Sequence, residues 1–266
     1  MSNENEAAIR RILESFCGDD AGRSVAFHSH YPAKLAVSIR GDDARPAASV
    51  MKIAQAMAVH RLAAQGRVDL DHEVPVGRFP ATRYVSILAA FDPGRRLSIR
   101  EICRLALITS DNPLAVYLQG LAPFDTVNAL LADHGCGPPC RMAAGFSEAE
   151  LGARNRVNVL TAQAATRLLQ AVWTEPVYAD LALALKNNLR NNRIPALLPE
   201  HLAVMHKTGS LDGVVNDAGI VFDQDIAFTL AILCDRQADA TATSAEIAAC
   251  ALALYGCVKG WPRAPR

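Results

Sequence analysis

Residues 48–57 read ASVMKIAQAM, a stretch that holds a serine and a lysine three positions apart. On a helix such residues share a face, so Lys52 can reach Ser49 from one turn along. A serine hydroxyl becomes an effective nucleophile when an adjacent base takes its proton. The stretch therefore predicts either an acyl-transfer site or an ordinary first helical turn. About one Ser-x-x-Lys arises by chance in a chain of this length, so the rest of the sequence has to decide.

Two further short motifs stand elsewhere in the chain: one S-D-N, from Ser110 to Asn112, and one K-T-G, from Lys207 to Gly209. Taken alone, the first would be a helix-breaking turn with a local cap and the second a strand end with a solvated lysine. All three motifs in this order should occur by chance in fewer than about one chain in a thousand. Their combination favours one shared active site.

Together the three motifs resemble those of the class A β-lactamases and penicillin-binding proteins, a superfamily of serine acyl-transfer enzymes. The intervals between Ser49, Ser110 and Lys207 match that superfamily, as do the surroundings LSIREICRLALITSDN and HKTGSLDGVVNDAGIV. The resemblance covers nearly the whole chain. It implies an α+β fold in which an antiparallel sheet is flanked by N- and C-terminal helices and an all-helical domain is inserted.

The hydrophobic pattern leads to the same fold. A helix is predicted over residues 4–17, ended by Gly18, and two strand-like runs follow, SVAFHS and KLAVSIR. After a helical block come three more strands, LAVMHKTGS, VVNDAGIVF and IAFTLAILC, of which the last two form an antiparallel hairpin. An Ala-rich helix over residues 243–257 closes the chain. We expect a sheet domain of residues 1–46 plus 199–266 and a helical domain of residues 47–198, with the active site between them.

The resemblance implies a role for each residue of the first two motifs. Ser49 would be the nucleophile and Lys52 its base, since a lysine that is crowded by apolar groups and a second cation can lose its proton near neutral pH. Ser110 would protonate the departing nitrogen, and Asn112 would bind a substrate amide and orient Lys52. The backbone amides of Ser49 and Ser210 would form the oxyanion hole.

The third motif would serve substrate binding. Lys207 begins a cluster suited to a carboxylate and keeps the site positive, Thr208 adds a hydroxyl, and Gly209 lets the backbone approach the substrate. β-Lactamases commonly place an arginine on a neighbouring strand for the substrate carboxylate, yet no Arg or Lys stands between residues 208 and 235. Arg190 and Arg193 are the candidates to replace it. Leu211 stands where a small residue is common, which would narrow the pocket.

Hydrolysis of the acyl-enzyme needs a further group. In class A enzymes a loop glutamate activates the water, and the stretch SEAELG places Glu148 in that position, with Glu150 as its competitor. Both are equally explained as solvated loop acids. The asparagine that usually follows the glutamate by four positions is replaced by Gly152.

Composition limits the partners. The chain has 266 residues, of which 51% are hydrophobic and 20% charged, and its net charge is zero. No block of like charge stands out, so a nucleic-acid or membrane partner is not expected. Seven scattered cysteines are typical of buried thiols, and CGPPC lacks a second pair at zinc spacing, so no metal or other cofactor is expected. The N-terminus has no apolar signal segment, which predicts a cytoplasmic protein, or a periplasmic or secreted one if a signal was removed.

Three functions stay open from the sequence. The first is a serine hydrolase of the class A β-lactamase type that opens a β-lactam amide through a Ser49 acyl-enzyme. The second is a cytoplasmic peptidase, esterase or acyl transferase of the same fold that acts on another amide or ester. The third is a penicillin-binding or sensor domain that is acylated slowly. The small-molecule substrate itself and the oligomeric state do not follow from the residues.

Overall fold

The computed structural model describes residues 2–147, 149–150 and 157–262. Eight α-helices are described: α1 (Ser2–Cys17), α2 (Lys52–Ala64), α3 (Ile99–Ile108), α4 (Asn112–Leu121), α5 (Phe124–Asp133), α6 (Ala162–Thr174), α7 (Ala179–Lys186) and α8 (Ala240–Lys259). The described strands are β1 (Arg23–Tyr31), β2 (Leu35–Ile39), β3 (Arg45–Pro46), β4 (Glu73–Pro75), β5 (Arg96–Ser98), β6 (Val159–Leu160), β7 (Ala203–Leu211), β8 (Val214–Asp223) and β9 (Ile226–Cys234).

The central sheet has five antiparallel strands in the order β2-β1-β9-β8-β7. β8 and β9 form the predicted hairpin, with Asp223 opposite Ile226 at its turn. Both strands are buried along nearly their whole length, because helices cover both faces of the sheet. β7, which carries the K-T-G motif, is an edge strand and lies against the turn that precedes α2. The fold class predicted from the sequence is confirmed.

Two apolar cores lie on opposite faces of this sheet. One joins the sheet to the helical region and includes Met205, Ala218 and Leu233 from the strands. The other joins the sheet to α1 and α8. Helix α2 is buried on nearly all sides, as expected for a central helix with apolar residues all round. The N-terminal end of α2 is therefore held firmly between the sheet and the other helices.

The ends of several helices follow from local residues. Gly18 follows the last residue of α1 with a left-handed φ of 48°, and α3 begins at a capping box built by Ser98. Thr161 caps α6 through a bond from the Ala164 amide. The prediction that Ser49 lies in the first turn of an α-helix is wrong in one detail. Ser49 lies in a 3-10 turn, Ala48–Met51, and α2 begins only after this turn. The proposed domain division stays a prediction.

Two short strand pairs are not predicted by the sequence pattern. β3 pairs with β6, and β4 pairs with β5. Strands of two or three residues leave no periodic signal, since a hydrophobic alternation needs at least four residues to be seen. The β3–β6 pair matters for function because it joins the chain just before Ser49 to the segment that follows the SEAELG stretch.

Helix α8 is long and apolar enough to cross a membrane by length and composition alone. Half of this apolar stretch is buried inside the protein, where the helix packs against α1 and the sheet. This packing is that of a core helix.

Candidate active site

Ser49 lies on a strained turn. The residue before it, Ala48, has a φ of 47°, which is left-handed backbone that a residue with a side chain rarely adopts. Such strain persists only where the surrounding structure enforces it, and it is frequent at active sites. Ser49 is partly exposed, whereas Ala48 and Val50 are buried. The turn therefore presents one hydroxyl from an otherwise buried stretch.

Two asparagines hold the chain just before this turn. The Ala47 amide donates to the Asn158 carbonyl oxygen at 2.7 Å. The Asn216 side-chain amide donates to the Pro46 carbonyl oxygen at 2.8 Å, and its Oδ1 accepts the Cys234 amide at 2.9 Å. Neither asparagine is part of the three sequence motifs. In the sequence, Asn216 is marked only by being half of a polar Asn-Asp pair within the apolar run VVNDAGIVF.

Gly209 brings β7 directly against the same turn. A Cβ atom on Gly209 would lie 2.8 Å from the Ala47 carbonyl oxygen, 3.1 Å from the Ala48 Cβ and 3.2 Å from the Ser49 amide nitrogen. The sequence predicted that this glycine makes room for substrate. The structure gives a different reason for it, since the space is filled by the chain that carries Ser49.

The Lys52 side chain is buried one turn beyond Ser49. Its Nζ donates to the Ser110 carbonyl oxygen at 2.6 Å and to Asn112 Oδ1 at 2.7 Å. It also lies 4.6 Å from the centre of the Phe146 ring. The predicted contact between Lys52 and the S-D-N motif is thus present. Phe146 is a further neighbour of Lys52 that no sequence motif indicated.

The environment favours the neutral form of Lys52. Burial lowers the pKa of its ammonium well below the usual value, and the positive charges of Lys207 and Arg190 lower it further. The negative charge of Asp111 acts in the opposite direction. An amine with a lowered pKa can accept a proton near neutral pH.

The S-D-N motif forms a tight break between α3 and α4. Ser110 has a φ of 61°, again left-handed. Asp111 is buried; its Oδ1 caps α4 by accepting the Leu114 amide at 3.1 Å. Its Oδ2 accepts the Ser86 hydroxyl at 2.6 Å and the Ile87 amide at 2.9 Å. Asp111 therefore fixes both the Ser110 turn and the loop beside it.

Lys207 is fully buried on β7, where its Nζ donates to the Thr208 carbonyl oxygen at 3.0 Å. Burial lowers the pKa of Lys207 to about 7, with further lowering by Arg190 and Arg193 and an opposing effect of Asp217. The basic side chains of Lys207, Arg190 and Arg193 thus lie close enough to affect one another, and a positive region of this kind favours an anionic ligand.

Both candidates for the missing strand arginine lie beside the motifs. Arg193 is buried and donates through Nη2 to Ser210 Oγ at 2.6 Å and through Nη1 to the carbonyl oxygens of Gly209, at 2.8 Å, and Asn216. Arg190 is exposed, and its Nε donates to the carbonyl oxygen of Thr109 at 3.4 Å. Arg193 thus supports the K-T-G strand, whereas Arg190 lies next to the S-D-N turn.

Of the two loop glutamates, Glu150 is bound within its own loop. Its Oε1 accepts the Gly145 amide at 2.8 Å, and its Oε2 accepts the Ser147 hydroxyl at 2.5 Å. Glu148 and Gly152 lie outside the described residues. Across the described ranges, no three His, Cys, Asp or Glu side chains come together as metal ligands. Leu211, at the end of β7, is 40% exposed.

Comparison with known proteins identifies the family and the fold. Residues 5–258 match the sequence profile of the beta-lactamase enzyme family. A β-lactamase from Sphaerobacter thermophilus DSM 20745 is 20% identical, with a TM-score of 0.83 over 96% of this chain and 98% of that chain. A representative class A β-lactamase from Bacteroides cellulosilyticus DSM 14838 is 22% identical, with a TM-score of 0.83 over 97% and 99% of the two chains.

A third solved structure, PBP-A, is 17% identical, with a TM-score of 0.81 over 97% of both chains. No curated protein sequence matches the chain. At these identities the likeness to solved structures carries the fold, and the family follows from the sequence match. Because that match spans nearly the whole chain, the protein belongs to the beta-lactamase enzyme family.

Proposed function

We propose that the protein is a serine hydrolase that opens the cyclic amide of a β-lactam through an acyl-enzyme on Ser49. The observation that carries the proposal is the placement of Lys52, which is buried one turn from Ser49 with its Nζ at both ends of the S-D-N motif; burial also lowers its pKa. A neutral amine has two N–H donors and one lone pair. The carbonyl oxygen of Ser110 and Asn112 Oδ1 take the two donors, which leaves the lone pair for the proton of Ser49.

Acylation then proceeds in two steps. The Ser49 oxygen attacks the lactam carbonyl carbon as its proton passes to Lys52, and the carbonyl oxygen becomes an anion held by the amides of Ser49 and Ser210. The carbon–nitrogen bond breaks, Ser110 gives its hydroxyl proton to the departing nitrogen, and Lys52 passes the proton it took from Ser49 to the Ser110 oxygen, so both Lys52 and Ser110 return to their starting forms. Removing one oxyanion donor typically costs about 3 kcal/mol of transition-state stabilisation. The close approach of Gly209 to the Ser49 amide supports this use of the two amides.

Substrate binding follows from the cations on β7. Lys207 attracts the carboxylate of the β-lactam, and the hydroxyls of Thr208 and Ser210 offer donors to it. Arg193 donates to Ser210 Oγ, so its charge lies close to the place of the same carboxylate. We assign to Arg193 the function of the missing strand arginine.

Deacylation requires a base for water, which we assign to Glu148. Glu150 is the weaker candidate because both of its carboxylate oxygens already accept bonds from its own loop. Replacing Glu148 with Gln should leave acylation intact and trap the adduct. Glu150→Gln is the matched control; it keeps an oxygen acceptor for the Gly145 amide and should still turn over.

The test is intact-mass analysis after mixing with benzylpenicillin, with colour release from a chromogenic cephalosporin followed in parallel. We expect catalytic colour release with little adduct from the natural protein and neither signal from a folded Ser49→Ala variant. Labelling that survives in Ser49→Ala would end the assignment of the nucleophile. A persistent adduct on the natural protein would indicate a penicillin-binding or sensor protein. Neither colour nor adduct would direct the search to another amide or ester.

A further inference from the structure

We propose that Asp217 is a positioning residue that holds the anion-binding cations of the site in place and sets how strongly they select a carboxylate. The inference rests on the proposed function, because it concerns the substrate carboxylate of that reaction. Asp217 is fully buried on β8, opposite Thr208 in the register of the sheet. A buried carboxylate is retained only where charges or hydrogen bonds compensate its loss of hydration.

The hydrogen bonds of Asp217 reach the chain next to both cations. Its Oδ2 accepts the amide of Ile194, which directly follows Arg193, at 3.0 Å. Its Oδ1 accepts from Nδ1 of His206, which directly precedes Lys207, at 2.9 Å. One carboxylate therefore fixes the backbone that carries Arg193 and a side chain adjacent to Lys207.

A third contact closes this arrangement. Nη1 of Arg193 donates to the carbonyl oxygen of Asn216, the residue before Asp217. The guanidinium is thus tied to β8 beside Asp217 and to β7 through Gly209 and Ser210. Nε of Arg193 also donates to Ser244 Oγ of α8 at 3.3 Å, so β7, β8 and α8 together hold Arg193.

The charges around Lys207 show how the carboxylate of Asp217 affects the protonation of Lys207. Arg190 and Arg193, from the segment between α7 and β7, disfavour its protonated form, and Lys207 in turn disfavours the protonated form of Lys52 on α2. Asp217 opposes this effect at Lys207, and it also favours the charged form of Arg193. Without Asp217 the cations would repel one another with less compensation, and Lys207 would lose its proton at lower pH.

Asp217→Asn removes the charge and keeps an oxygen acceptor. We expect acylation by benzylpenicillin to slow by about tenfold or more, because the substrate binds more weakly. The rate of acylation by the neutral methyl ester of benzylpenicillin should change less than about threefold. The matched control is Asp223→Asn, the same change on the same strand, where the carboxylate accepts from the Tyr255 hydroxyl and the Gln224 amide, away from the motifs. This control should leave both rates unchanged.

A second measurement does not need a substrate. The chain has five lysines, so the pKa of Lys207 can be followed by NMR of carbon-13-labelled lysine side chains and assigned with Lys207→Arg. We expect the pKa of Lys207 to fall by about one pH unit or more in Asp217→Asn and to be unchanged in Asp223→Asn. Asp217→Ser offers a smaller residue with room for water if the asparagine variant does not fold.

The outcomes separate the two proposals. An equal slowing with both the penicillin and its ester, or an unchanged titration of Lys207, would overturn the role of Asp217. If the natural protein reacts with neither compound, the proposed function fails, and the titration of Lys207 alone decides: a fall supports the role of Asp217 and no change overturns it.

Discussion

Replacing Gly209 with Ala tests how closely the nucleophile turn depends on β7. The new Cβ would lie 2.8 Å from the Ala47 carbonyl oxygen, whereas ordinary contacts begin at 3.4 Å, so the turn has to move by about 0.6 Å. A misplacement of about 1 Å can cost roughly a hundredfold in rate, so a shift of this size should slow acylation by about tenfold. Overpacking of this kind also lowers the free energy of unfolding by about 1–3 kcal/mol.

The assay separates these two effects. Acylation by a chromogenic cephalosporin is followed by stopped flow, and the free energy of unfolding is measured with urea. The matched control is Gly41→Ala, just beyond the strand at the opposite edge of the sheet, where a Cβ would lie 2.6 Å from the Ser38 Cβ. The control should lose stability but keep its acylation rate. A folded Gly209→Ala variant that acylates at the natural rate would refute the reasoning, and so would an equal slowing in Gly41→Ala.

Two charge changes give further expected outcomes. Lys207→Met should raise the free energy of unfolding by roughly 1–3 kcal/mol below pH 7, because it removes a buried cation. The folded pKa of Lys207 is about 7 and its usual value is 10.5, so the gain should shrink as pH rises between them; equal gains in urea unfolding at pH 6 and pH 10 would contradict this. Asp111→Asn removes a negative charge that raises the pKa of Lys52, so this pKa should fall. In the pH–rate profile, the acylation rate should then begin to rise at lower pH than in the natural protein. A profile that rises at the same pH would exclude this coupling.

The fold was largely predictable because its elements carry long, regular patterns. Helix α1 with its terminal Gly18 and the hairpin of β8 and β9 follow from local spacing and turn residues. The short pairs β3–β6 and β4–β5 were not predictable, since two or three residues are too few to show a period. The 3-10 geometry at Ser49 was also missed, because Ala48 adopts a strained φ that its residue type disfavours.

The candidate site was predictable as a set of residues but not as an arrangement. Three short motifs singled out Ser49, Lys52, Ser110 and Lys207, because their residue types and order are improbable by chance. The sequence ranked Glu148 ahead of Glu150 only through the family resemblance, since two acids two residues apart carry no periodic signal of their surroundings. The hydrogen bonds of Glu150 to its own loop distinguish it only once the chain is folded.

The sequence by itself determined the order of the elements, the family resemblance and the chemical types of the reactive groups, all of which are properties of neighbouring residues. Only the tertiary structure decided that Gly209 makes room for the chain before Ser49, that Arg193 reaches Ser210, and that Asp217 links the cations. These contacts join residues far apart in the chain. Their energies depend on burial and on charges brought together by folding, so no local pattern records them.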